Sequence, residues 1–103
     1  MKIIKCLAEK IEEELNDAQS YADMAQRWKE EQPETADLFL ELSQEEMGHM
    51  ERLHKKVAEK IAEYKNTHGE PPKEMLALYD YLHRQHMNEA MKIRVMQGMY
   101  KEA

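Results

Sequence analysis

One cysteine, three glycines and three prolines in 103 residues leave little material for a β-rich or disulfide-stapled domain. Cys6 has no second cysteine to pair with inside the chain, which is compatible with a reducing compartment. Aromatic residues are scarce at 7%, so any core must be built from aliphatic side chains and methionine. No apolar run approaches the ~20 residues that a membrane-spanning helix requires. The opening Met1-Lys2-Ile3-Ile4-Lys5-Cys6-Leu7 runs quickly into Glu9, Lys10 and Glu12 to Glu14, without the apolar stretch of a signal peptide. From these features we expect a soluble cytoplasmic protein. Basic residues are outnumbered, and the net charge of −6 argues against a nucleic-acid partner and favours attraction of cations. No glycine-rich loop is present to cradle a phosphate.

Abundant Glu, Lys, Leu, Met and Ala point to an all-α protein, and the length to one domain spanning residues 1–103. Two breaks divide it. Gln32-Pro33 disfavours a helix through residue 32, while Pro33 suits the first turn of the next one. His68-Gly69-Glu70-Pro71-Pro72 is a stronger stop, with Gly69 placed to end a helix. The spacing predicts helices over about 2–31, 34–67 and 73–101. Helices of this length span roughly 45 Å, and short links make consecutive ones antiparallel.

Apolar residues recur at helical spacing in all three. In the first, Ile4, Ile11, Ala18 and Ala25 form one series. Leu7, Tyr21 and Trp28 form a second, whose missing rung is Glu14. In the second helix Phe39 and Leu53 flank Glu46, with Leu42, Met50 and Val57 completing the stripe and His49 beside it. In the third, Met75, Leu82 and Met96 bracket Glu89, and Tyr79, Ile93 and Tyr100 bracket His86. An acid or an imidazole thus interrupts each stripe near its middle, at roughly one level along the rod.

Residues three apart lie on one helix face, so Glu46 and His49, and likewise His86 and Glu89, can each reach a single ion between helices. A mixture of carboxylate and imidazole suits iron, manganese or zinc. Each group also has a plainer reading. Glu14 sits in the acidic run Glu12-Glu13-Glu14, and Glu13 is the inward residue if the helix is rotated. His86 and Glu89 serve equally well as an interhelical polar contact. His54 and His68 are expected at the surface, and His83 at its boundary. Gly48, between the candidate ligands, suits a close approach of helices. A non-catalytic helical adaptor, in which these polar groups set register, and a non-redox Zn or Mn protein stand as alternatives.

The stretch Leu42-Ser43-Gln44-Glu45-Glu46-Met47-Gly48-His49-Met50-Glu51-Arg52-Leu53-His54 resembles the second helix of rubrerythrin-like and ferritin-like di-iron proteins. Glu14-Leu15-Asn16-Asp17-Ala18-Gln19-Ser20-Tyr21 resembles their first helix, and the likeness covers about the first 65 residues. It implies a ferritin-like helical protein that binds iron at a di-iron centre. The associated activity would be oxidation of Fe(II) by O2 or peroxide, for storage or detoxification. It further implies Glu14 as a terminal or bridging ligand, Glu46 as the bridging carboxylate and His49 as a terminal imidazole. Tyr21 would hydrogen-bond a ligand or take part in electron transfer. A full centre of this kind takes four helices with Glu-x-x-His on two of them, and this chain has three, the third without a Glu-x-x-His. Two geometries are open at this point. In one, a homodimer or higher homo-oligomer, like the encapsulated ferritins and with a possible encapsulating shell, supplies two copies of Glu14, Glu46 and His49. In that case His86 and Glu89 are extra ligands, a nearby second site, or a polar pair that steadies His49. In the other, Glu14, Glu46, His49, His86 and Glu89 surround one ion pair within a single chain. The family's symmetry favours the dimer.

Overall fold

Pro33 and Gly69 divide the chain where their backbone chemistry dictates. In the computed structural model, which describes residues 1–102, the elements are α1 (Lys2–Trp28), α2 (Pro33–His68) and α3 (Lys73–Glu102). The first helix stops three residues short of the expected end, and Lys29 to Glu31 form the turn. Pro33 occupies the first turn of α2, where its missing N–H costs nothing, and the Ala36 N–H donates to the Gln32 carbonyl at 2.8 Å. At the far end Gly69 adopts φ 81°, a region that disfavours side chains, and its N–H closes α2 by donating to the Lys65 carbonyl. The result is a rod of 56 × 17 × 17 Å.

The buried seam of α1 is Ile4, Ile11, Leu15, Ala18, Ala22 and Ala25, and that of α2 is Ala36, Leu40, Ser43, Met47 and Met50. The small residues of the seam lie toward the α1–α2 turn, as Ala18, Ala22 and Ala25 on α1 and Ala36 and Ser43 on α2. Alpha-3 lies along this pair, antiparallel to α2. It inserts Ala90 and Ile93 into one cluster with Ile11, Leu15, Ala18, Met47 and Met50. Tyr100 joins a second cluster with Ala25, Ala36 and Leu40. The expected α2 stripe is displaced by one position. Phe39, Leu42, Glu46 and Leu53 are half-buried on the flank of the seam, and Trp28 is 38% exposed.

One polar node ties all three helices together. The Ser43 hydroxyl, fully buried on α2, donates to the Ala18 carbonyl of α1 at 2.7 Å and accepts from the Gln97 amide of α3 at 2.9 Å. Each partner is satisfied, as a buried polar group must be. Nothing in the spacing of polar residues announced this contact.

Near the α1–α2 turn, the Tyr100 hydroxyl donates to the Asp37 carboxylate at 2.5 Å, and Lys29 lies over the Tyr100 ring while donating to its carbonyl. The bond to Asp37, with burial second, pushes the Tyr100 phenol up to about 12. Its protonated form is therefore favoured in the folded state. The stabilisation is fully present below the ordinary tyrosine value of about 10 and is lost as pH rises through about 12. In an ultraviolet titration Tyr100 is expected to ionise late. Tyr100→Phe should flatten the loss of stability between pH 10 and pH 12, measured by denaturant unfolding.

Beyond Met50 α2 has no fully buried residue, and α3 has none before His86. The distal half of the rod is accordingly the more loosely packed half, and its helices enclose a cavity described below.

Candidate metal centre

Glu14 projects from the middle of α1, and Glu46 and His49 from one face of α2, on the flank of the seam where the apolar stripes carry polar rungs. Antiparallel pairing brings them level. His49 Nδ1 lies 3.4 Å from Glu14 Oε2 and 3.6 Å from Glu46 Oε2. One donor atom from each of the three falls within 4.8 Å of the other two. Glu13, by contrast, turns outward and pairs with Lys10, so Glu14 is the acid that faces α2.

Two carboxylates held this close repel each other. Glu14 Oε2 is buried and has no hydrogen-bond partner among the described residues, although His49 Nδ1 lies 3.4 Å away. A buried carboxylate oxygen without a donor is costly unless a cation meets it. A metal ion would engage both carboxylates and the imidazole together. The donor set therefore fits an ion such as iron, manganese or zinc.

The three side chains are unequally covered. Glu46 is 19% exposed, Glu14 25% and His49 52%, so the cluster opens to the outside of the chain. The hollow beside it is lined by Glu14, His49, Arg52, Leu53 and Lys56. Half-buried Leu7, Tyr21, Phe39 and Leu42 extend this flank into a partly apolar face.

A family model described as Rubrerythrin matches residues 5–103. The chain belongs to the rubrerythrin family. Its members are ferritin-like di-iron carboxylate proteins, so an iron-binding role for a rubrerythrin domain accords with the donors that the fold assembles here. No curated protein and no solved structure matches the chain. The family match extends well past the first 65 residues in which the sequence resemblance was legible, taking in α3.

Within this rubrerythrin-family chain, two expected ligands stand apart from the cluster. His86 is buried at 6% exposure on the core-facing side of α3, where it lines cavities that contain none of Glu14, Glu46 or His49. Glu89 does not join the three-residue group either. The single-chain arrangement of five ligands is thus not formed. The reason is geometric: α3 covers one side of the α1–α2 seam, and the carboxylates occupy its outer flank. Tyr21 lies two turns beyond Glu14 and stacks on Phe39, with ring centroids 6.3 Å apart. Among the described residues its hydroxyl makes no hydrogen bond to the cluster, so one chain does not bring Tyr21 to a ligand. A Cβ on Gly48 would meet nothing within 4 Å, so the close approach expected there does not occur within the chain.

Sequence reasoning missed a third grouping. His54 is half-buried rather than exposed, and its Nε2 lies 2.6 Å from Nδ1 of His83. The signal was available in part: His83 and His86 are three apart on α3, but their meeting with α2 depends on the helix rotation.

Proposed function

We propose that two copies of this chain pair across the open flank to complete a di-iron centre that oxidises Fe(II) with O2 or peroxide. The observation that carries this reading is the half-exposed triad whose buried Glu14 oxygen lacks a donor. Ferritin-like centres draw a Glu from each of two helices and Glu-x-x-His from each of two others. This chain supplies one of each, so a two-fold axis through the flank yields four carboxylates and two imidazoles. Isologous pairing of that kind is the commonest oligomer symmetry. The partly apolar face of Leu7, Tyr21, Phe39, Leu42 and Leu53 gives such a contact area to bury, and Gly48 beside the ligands leaves room for a partner backbone.

In this reading Fe(II) is the substrate. The clustered carboxylates of Glu14 and Glu46 attract it and bind the Fe(III) product more strongly, because oxygen anions favour the higher charge. Glu46, the least exposed of the three, would serve as the shared carboxylate, with Glu14 and His49 as the remaining ligands. Two Fe(II) ions each lose one electron, and O2 takes the pair together with two protons to leave hydrogen peroxide. With peroxide as oxidant the same two electrons and two protons yield water. The acidic surface supplies a steering field for the cation.

The test is aerobic addition of Fe(II) to the metal-free protein, followed by ferric absorbance and oxygen consumption, with the solution mass measured alongside. A dimer or larger assembly that oxidises iron is the expected result. A monomer that oxidises iron equally well would overturn the shared centre. Binding of Zn(II) or Mn(II) with no Fe(II) oxidation would overturn the activity.

A further inference from the structure

We propose that His54, His83 and His86 form a second metal site, built from imidazole nitrogen, that clips α2 to α3 on the side of the rod away from the carboxylate cluster. It would take an imidazole-preferring divalent ion of the Zn(II), Ni(II) or Cu(II) class. Three observations converge on it.

The first is the contact itself. Nitrogens of two rings on different helices approach to 2.6 Å, with ring centroids 4.5 Å apart and planes 29° from parallel. Two imidazole lone pairs this close repel unless a proton or a cation lies between them. Zn–N bonds of about 2.0–2.1 Å in a tetrahedral site put neighbouring nitrogens roughly 3.3 Å apart, so a small ring rotation converts the contact into a metal bite. The second is His86, one turn further along α3. It is 6% exposed and has no hydrogen-bond partner among the described residues, yet it lines the same cavity as His54 and His83. A ring on the wall of a cavity that already holds two imidazoles adds a third nitrogen donor one turn along α3. The third is the cavity, about 330 Å³, whose other walls include Ile4, Ile11, Val57, Ile61, Leu76 and Leu82. An apolar shell with a few converging nitrogens is the ordinary make-up of a ligand or metal pocket.

Burial, and then the neighbouring histidines, push His54 down from its ordinary value, and burial does the same for His86. Neutral rings are the form that ligates. In the present side-chain arrangement the His54 and His83 nitrogens are adjacent and His86 stands back. The pair is therefore the core of the site, and His86 its third donor, brought in by ring rotation. The location matters mechanically, because the distal halves of α2 and α3 share little buried apolar surface, and a metal bridge would fasten the looser end of the rod.

The experiment uses the full-length chain carrying Glu46→Ala and His49→Ala, which removes the carboxylate cluster, titrated with Zn(II) alone against a chromophoric chelator. One Zn(II) per chain at micromolar affinity or better is expected, together with a higher unfolding midpoint in the presence of zinc. Adding His83→Gln should weaken binding at least tenfold and remove the zinc-dependent rise, and His86→Gln should weaken binding less. His83→Gln in the otherwise natural chain should leave Fe(II) oxidation intact. If His83→Gln disturbs folding, seen by circular dichroism without metal, His54→Gln serves in its place. Zinc stoichiometry unchanged by these substitutions would overturn the site. So would the absence of zinc binding before they are made, in which case the histidines share only a proton.

Discussion

Glu46→Ala is expected to lower the rate of Fe(II) oxidation by at least about 100-fold and to strip bound iron from the purified protein. Loss of groups that merely orient a ligand already costs roughly 10–100-fold in metal affinity or activity, and Glu46 is placed as a ligand. In the paired arrangement one substitution also removes two carboxylates, one from each copy. Its effect on folding should be opposite in sign. Without metal, Glu46 adds a like charge beside Glu14, with both carboxylates directed at a single imidazole edge. The metal-free variant should therefore unfold no earlier than the natural protein, while Fe(II) no longer raises its midpoint. Glu45→Ala, one residue away on the exposed side of α2, is the control that should change neither quantity. Iron oxidation that survives Glu46→Ala would place the chemistry elsewhere. Metal-free thermal melts, Fe(II) melts and initial rates on the same preparations separate these outcomes.

Leu15→Ala is expected to destabilise the fold by about 2–5 kcal/mol, the range for truncating a fully buried leucine. Leu15 is 0% exposed and sits in the cluster where all three helices meet, against Met47, Met50, Ala90 and Ile93. Domains of this size are stable by only about 5–15 kcal/mol, so the variant should lose a large part of its margin. Urea unfolding would register a lower midpoint with little change in slope. Its neighbour Glu14 makes the contrast: Glu14→Ala should remove metal binding without lowering metal-free stability. Adjacent positions on one helix thus divide structure from chemistry. If Leu15→Ala unfolded at the same urea concentration as the natural chain, the three-helix core described above would be misplaced.

Much of this division could be read in advance. Proline at 33, glycine at 69 and prolines at 71 and 72 act on the backbone locally, so helix boundaries followed from them to within a few residues. Alpha-1 ended at Trp28 instead of about residue 31, because the turn before Pro33 needs several non-helical residues. The series Ile4, Ile11, Ala18 and Ala25 is buried as its spacing predicted, and the interruptions at Glu14, Glu46 and His49 do converge. His86 and Glu89 show where the reading stops. Their spacing placed His86 on an inward rung, and it is inward. It could not say which neighbour that rung faces. The Ser43–Gln97 node and the His54–His83 contact were equally invisible, since a serine or histidine at the edge of a stripe looks the same whether it meets water or another helix.

From its residues alone this chain is committed to three long helices, to a buried aliphatic stripe on each, and to a carboxylate–imidazole set on the first two. These follow from backbone preferences and helical periodicity, which act over a few residues at a time. Tertiary structure decided the rest: that α3 covers one side of the α1–α2 seam, that Glu14, Glu46 and His49 share the opposite, open flank, and that His86 lines a cavity with His54 and His83 instead of facing them. Those outcomes depend on the rotation of each helix about its axis. That rotation is set by how small and large side chains interlock across the whole bundle.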